Sequence, residues 1–167
     1  MKTAMPTDDA LYEKANQLGR ALSEQGFWLC TAESCTGGWL GKVLTDVSGS
    51  SAWYERGFIT YTNQAKQEML GVSKEILIEY GAVSESTVLA MARGALAHSR
   101  ADFSVAITGI AGPGGATPRK PVGTVWFAWA RNSDFIHSEL HQFIGDREEV
   151  RRQAVQQAVQ GVMNHCL

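Results

Sequence analysis

The chain holds only three cysteines, Cys30, Cys35 and Cys166, and no two stand in C-x-x-C spacing. That argues against a disulfide scaffold and against a cysteine-based zinc site. No run approaches the roughly 18 apolar residues of a transmembrane helix. The N-terminal stretch has no apolar core and carries Asp8 and Asp9, so no secretory signal is expected. A reducing cytoplasm is the compartment these absences imply. Excess charge is also missing: 15 Lys and Arg face 17 Asp and Glu, for a net charge of -2. A protein that grips nucleic acid or a membrane surface through bulk positive charge is not expected. Neither G-x-G-x-x-G nor a P-loop occurs. Internal repeats and low-complexity tracts are absent as well.

What is there fits a folded chain. Its 167 residues are 44% hydrophobic and 19% charged, as in a globular protein with a proper core. One domain over 1–167 is expected, with residues 1–7 as a loose tail. Asp8 opens a helical pattern with Leu11, Ala15, Leu18 and Leu22 on one face and Gly26 as its stop. Residues 27–32 read as a buried strand, 34–38 as a turn, and the stretch to about Asp46 as a helix. A strand follows at 57–62. Asn63 then reads as the cap of a helix ending at Gly71. Further helices start at Ser73 and Ser84. Residues 103–108 form a strand and 109–121 a glycine- and proline-rich loop. Strands at 122–130 and 135–143 form a hairpin through the polar link 131–134. Asp146 caps the last helix. Alternating strands and helices with one hairpin predict an α/β fold. It is a three-layer α/β/α sandwich on a mixed, mainly parallel sheet. Ligands in such folds sit beyond the carboxyl ends of strands, so the loops after 27–32, 57–62 and 103–108 are the ones to search.

Three segments there carry chemistry. In Thr31-Ala-Glu-Ser-Cys-Thr-Gly-Gly38, Ser34 stands on a turn that enters a helix. Free N–H groups and the positive helix end would favour an oxyanion. The same spacing suits a plain helix cap. Cys35 is a rival nucleophile, since a helix N-terminus lowers a thiol pKa, but neighbouring side chains on a turn point apart. In Tyr61-Thr-Asn-Gln-Ala-Lys66, Lys66 falls in the first turn of a helix. The dipole and burial would depress its pKa there and suit it to act as a base, although an exposed lysine is the commoner case. In Thr108-Gly-Ile-Ala-Gly-Pro-Gly-Gly115, glycines after a strand bring backbone N–H groups near a phosphate or ribose. A flexible connection explains that loop equally well.

No Ser/His/Asp arrangement is visible, so a nucleophilic Ser34 would take a lysine as its base. Arg147, Arg151 and Arg152 open the last helix. Arginines there are most often solvated, but one of the three could reach a phosphate, and Arg147, by its place in the first turn, is the candidate. His137, Glu139 and His141 share a strand face, a spacing found in metal sites. Phe135 and Phe143 share it too, and a half-exposed strand accounts for the pattern, so no metal is expected.

The segments Ala32–Gly38, Gly57–Lys66, Gly81-Ala-Val-Ser-Glu85, Thr108–Gly115 and Lys120-Pro-Val-Gly-Thr124 together resemble the CinA C-terminal domain family. The resemblance runs from about residue 10 to residue 160, in its single-domain form. It implies hydrolysis of nicotinamide mononucleotide to nicotinate mononucleotide and ammonia, by a serine–lysine pair and without a cofactor. Carried over by position, the pair is Ser34 and Lys66. Tyr61, Asn63, Thr108 and the glycine loop with Gly109, Gly112 and Gly114 would line the pocket. Backbone groups of Thr36, Gly37 and Gly38 would hold the oxyanion. Ala116 and Arg119 depart from the family pattern at the far end of the loop. The partner implied is a small molecule rather than nucleic acid or membrane, and a homo-oligomer stays open. A non-catalytic nucleotide-binding or competence-related module, or an amidase for another small amide, are the competing readings.

Overall fold

The computed structural model describes residues 4–132 and 134–167. Five strands form one sheet: β1 (Leu29–Glu33), β2 (Tyr54–Ile59), β3 (Phe103–Gly109), β4 (Thr124–Arg131) and β5 (Ile136–Gln142). Their spatial order is β2-β1-β3-β4-β5. β1 pairs in parallel with both β2 and β3, while β4 is antiparallel to both β3 and β5. Four of the five strands therefore share a direction, and the expected mixed, mainly parallel α/β sandwich is observed.

Alternation along the strands divides the core in two. Leu29, Val105, Ile107, Phe127 and Trp129 pack on one side against α1 (Asp8–Gln25), α2 (Trp39–Thr45) and α6 (Arg147–His165). Cys30, Ala32, Ala106, Ala128 and Ala130 face the other layer, α3 (Asn63–Leu70), α4 (Lys74–Tyr80) and α5 (Glu85–Ala97). The small alanines on this second face let α5 approach closely. On the first, Trp129 is fully buried and its Nε1 donates to the Ala158 carbonyl at 3.0 Å. Burial of so large a ring contributes roughly 1.5–3 kcal/mol.

Several boundaries differ from the sequence reading. β2 begins at Tyr54 and stops at Ile59, so Tyr61 lies in the loop after it. Thr62, not Asn63, caps α3, accepting from the Ala65 amide at 3.1 Å. Two neighbouring polar residues satisfy the same sequence rule, and only the backbone turn chooses between them. Of the tail expected to be loose, residues 1–3 lie outside the described residues. Pro6, however, is buried and its carbonyl accepts from Arg152, while Thr7 caps α1. Ser133, within the hairpin link, also lies outside the described residues. Asp146 caps α6 as expected, in a reciprocal capping box with Glu149.

β1 is the strand that positions the site. The chain leaves its carboxyl end toward α2 on one face, and leaves β2 toward α3 on the other. Between these exits opens the crevice that such sheets use for ligands. Two backbone bonds pin the lip: the Ser34 amide donates to Ile107 at 3.1 Å and the Thr60 amide donates to Glu33 at 2.8 Å.

Candidate active site

Ser34 follows the last residue of β1 and is 8% exposed. Its hydroxyl does not cap α2. That task falls to Glu33, a residue the sequence reading passed over. The buried Glu33 carboxylate accepts from the Thr36 hydroxyl (2.7 Å) and from the amides of Gly38 (3.2 Å), Leu40 (2.9 Å) and Gly41 (3.1 Å). A charge saturated by four donors at a helix N-terminus is well placed. It releases the neighbouring serine from structural duty. Gly38 makes the turn at φ 103°, where a Cβ would also meet the Ile59 side chain at 2.9 Å.

Lys66 approaches from α3. It is 1% exposed, and its Nζ lies 2.9 Å from Ser34 Oγ, 2.8 Å from the Thr60 carbonyl and 3.5 Å from the Tyr61 carbonyl. Its cap residue Thr62 and the short loop 60–62 bring both carbonyls to the amine. No carboxylate pairs with Lys66 among the described residues. Burial therefore acts almost alone on it and depresses its pKa from 10.5 to about 8. A neutral amine has two N–H groups and one lone pair. The two carbonyls only accept, so they take the N–H groups and leave the lone pair facing the Ser34 hydroxyl.

Cys35 has the opposite character. It packs into the apolar core, and burial pushes its thiol up to about 12. Burial thus disfavours the thiolate that a cysteine nucleophile needs, although Cys35 also borders the cavity beside Ser34.

Ser34 and Lys66 line a cavity of about 320 Å³ together with Tyr61, Ala82, Thr108 and the loop 109–115. Of the residues singled out from the sequence, the structure gathers Ser34, Cys35, Lys66, Tyr61, Thr108, Gly109, Gly112, Gly114 and Arg147 around this space. Arg147 crosses its mouth, donating to the Gly112 carbonyl at 2.8 Å and to the Tyr61 hydroxyl at 3.1 Å. A larger hollow of about 680 Å³ adjoins it and shares Ala111 and Arg147.

Four expected residues lie outside the cavity lining. Asn63 is exposed on α3 and lies outside the cavity lining. Thr36, Gly37 and Gly38 do not line it either. The Gly37 amide donates to the Ser34 carbonyl at 3.1 Å and the Gly38 amide to Glu33, so neither offers its N–H to an oxyanion. Around the cavity, the amides without a protein acceptor include those of Cys35 and Thr36 on the turn and of Ala111, Gly112, Gly114 and Gly115 in the loop. Arg151 braces the turn, donating to the Cys35 and Thr36 carbonyls at 3.1 Å each. Ala82 was inside a quoted motif without a role. Its carbonyl accepts from Thr108 Oγ1 at 2.8 Å, tying the cavity's two walls together.

The chain is similar to known proteins over nearly its whole length. Residues 11–166 match the model of the CinA C-terminal domain. The chain is 54% identical over 161 residues to the nicotinamide-nucleotide amidohydrolase PncC of Escherichia coli K12, covering 96% of this chain and 98% of that one. It is 49% identical over 155 residues to the protein of the same name from Pseudomonas putida, covering 93% and 96%. The crystal structure of the competence/damage inducible protein CihA from Agrobacterium tumefaciens superposes with a TM-score of 0.93 at 42% identity, over 99% of both chains. With nearly its whole length matched in both sequence and fold, this chain belongs to the CinA C-terminal domain family.

Proposed function

We propose that this amidohydrolase acts on nicotinamide mononucleotide, releasing ammonia and nicotinate mononucleotide, with Ser34 as nucleophile and Lys66 as its base. The single observation that carries the mechanism is the buried 2.9 Å contact between Lys66 Nζ and Ser34 Oγ, with no carboxylate paired to the amine among the described residues. The substrate is suggested by the printed activity of the relatives at 54% and 49% identity.

Neutral Lys66 accepts the Ser34 proton as Oγ attacks the carboxamide carbon. The carbonyl oxygen becomes an oxyanion. The unpartnered amides of Cys35 and Thr36 and those of the 111–115 loop are the donors for it. Lys66, now an ammonium held by two carbonyls, returns the proton to the departing nitrogen. Ammonia leaves and an ester on Ser34 remains. Water then attacks this ester with Lys66 again as base, freeing the carboxylate and restoring the hydroxyl. The nicotinamide ring fits the smaller cavity. The ribose phosphate extends past Arg147 toward the adjoining hollow, where a guanidinium supplies charge-assisted hydrogen bonds.

The test is ammonia release from nicotinamide mononucleotide by the wild type and by Ser34→Ala. Turnover by the wild type and none by the variant is the expected result. Undiminished turnover in Ser34→Ala removes the serine mechanism. Absence of turnover in the wild type removes the substrate assignment.

A further inference from the structure

Three of the chain's four histidines converge on one carboxylate, far from the cavity. His137, Glu139 and His141 alternate along the edge strand β5 and face the α6 side, opposite Trp129, Phe127 and Val125 of β4. His165 arrives from the last turn of α6. Glu139 Oε1 lies 3.1 Å from His137 Nε2 and 3.0 Å from His165 Nε2. Oε2 lies 2.9 Å from His141 Nε2 and 3.2 Å from Gln157 Nε2. The His137 and His165 rings are 4.2 Å apart between centroids. The group is half-buried, with side-chain exposures from 22% to 40%, so an ion can reach it from solvent.

We propose that His137, Glu139 and His165 form a zinc site that joins the edge strand β5 to the C-terminal turn of α6. The three ligand atoms already lie within 4.8 Å of one another. Tetrahedral zinc with bonds near 2.0–2.1 Å needs its ligand atoms about 3.3 Å apart. The two histidine-to-glutamate separations meet this, and only the two imidazoles need to draw together. Imidazole nitrogen with one carboxylate oxygen is a donor set that suits zinc rather than magnesium or calcium, which prefer oxygen throughout. On binding, each ligating imidazole carries its proton on Nδ1 and turns a bare Nε2 to the ion. His141, on the other carboxylate oxygen, is the nearest further donor. Gln157 supports the carboxylate from α6, as outer partners of metal ligands commonly do.

The site is separate from the chemistry. His165 and Arg147 stand at opposite ends of α6, roughly 27 Å apart at 1.5 Å per residue. Zinc there ties down an edge strand and a helix end, so its effect is on stability and not on turnover. This revises the expectation of no metal. Strand spacing alone supplied two imidazoles and a carboxylate, and the helix supplied the ligand that closes the set.

The test is calorimetric titration of tag-free, chelator-stripped protein with zinc, with melting temperature followed in parallel. Wild type is expected to bind one zinc per chain at micromolar concentration. At a hundredfold excess over Kd, Tm should rise by roughly 5–10 °C. The double variant His137→Ala/His165→Ala and the near-isosteric Glu139→Gln should each lose at least tenfold in affinity and the Tm rise, while turning over substrate as the wild type does. Bound cobalt in wild type should show the absorption of a nitrogen- and oxygen-ligated ion without thiolate bands, which excludes the cysteines as the source. Absence of binding by wild type, or equal binding by the double variant, overturns the site.

Discussion

Lys66 and Glu139 each stand at the centre of a polar cluster, and their surroundings differ in kind. Around Lys66 are a hydroxyl and two carbonyls, all neutral, in a place closed to solvent. Around Glu139 are three imidazoles and an amide, in a place half open to it. Burial lowers the lysine pKa, and no described residue of opposite charge pairs with it to offset this. At Glu139 burial acts to raise the pKa, but hydrogen bonds from His141, His137 and His165 outweigh it and bring it to about 2. A buried charge left without a counter-charge is poised to give up its proton, which is what a general base requires. A carboxylate saturated with imidazoles is locked in its ionised form, which suits holding an ion or a strand in place.

The largest effect should come from removing the reacting atom in the first cluster. Ser34→Ala is expected to lower kcat by ~10³-fold or more. Cys35→Ala, one residue on, should keep most of the activity because its thiol is buried and neutral. Steady-state ammonia release compares them. A dead Cys35→Ala with an active Ser34→Ala would reverse the assignment.

Removing the base should cost on the order of 10²–10⁴-fold in kcat. Lys66→Arg should be as poor as Lys66→Ala, because a guanidinium keeps the charge but does not deprotonate. In wild type, kcat/KM should rise with pH and level off above about 8, as the amine loses its proton. The same shift has a thermodynamic sign. The folded state holds the Lys66 proton less tightly than the unfolded chain, whose pKa is the ordinary 10.5. Stability contributed by this residue therefore increases as pH rises from about 8 toward 10.5 and is lowest below 8. Measured against Lys66→Met, wild type should gain stability over that window in chemical denaturation. A flat difference across it would show that the lysine is not depressed.

Smaller changes are expected at the cavity mouth. Nicotinamide riboside lacks the phosphate assigned to Arg147, and its kcat/KM should fall by roughly 10²–10⁴ if two charge-assisted bonds are lost. Arg147→Ala should weaken turnover of the mononucleotide and leave the riboside nearly unchanged. Equal losses for both substrates would place the phosphate elsewhere. The least effect on rate belongs to the second cluster. His137→Ala, or added chelator, should leave kcat within a factor of about two, because α6 separates the two ends by several turns. A large loss of rate there would erase the distinction between a cluster that reacts and one that holds.

Much of the molecule was legible from local rules. The apolar face of α1, the caps at Ser73, Ser84 and Asp146, and the glycine stops at Gly26 and Gly71 follow from periodicity and capping chemistry, which act within one or two turns. The serine and the lysine were visible as residues on turns at strand ends, and the family motifs singled them out. What those rules missed shares one cause. Asn63 and Thr62 are equivalent as caps until the loop from β2 sets the backbone. Gly37 and Gly38 carried free amides on paper, and Glu33 and the Ser34 carbonyl occupied them once the turn closed.

The sequence by itself determined the element order, the two apolar faces of the sheet and the residue types at the site, because each depends on neighbours along the chain. Only the tertiary structure decided that Lys66, 32 residues from Ser34, meets it at 2.9 Å in a buried position, with no carboxylate paired to it among the described residues. It alone brought His165 to Glu139 across the α6–β5 seam. Proton affinity and metal affinity depend on solvent access and on charges within a few ångströms. Those distances are set by how layers pack, which no spacing along a single chain records.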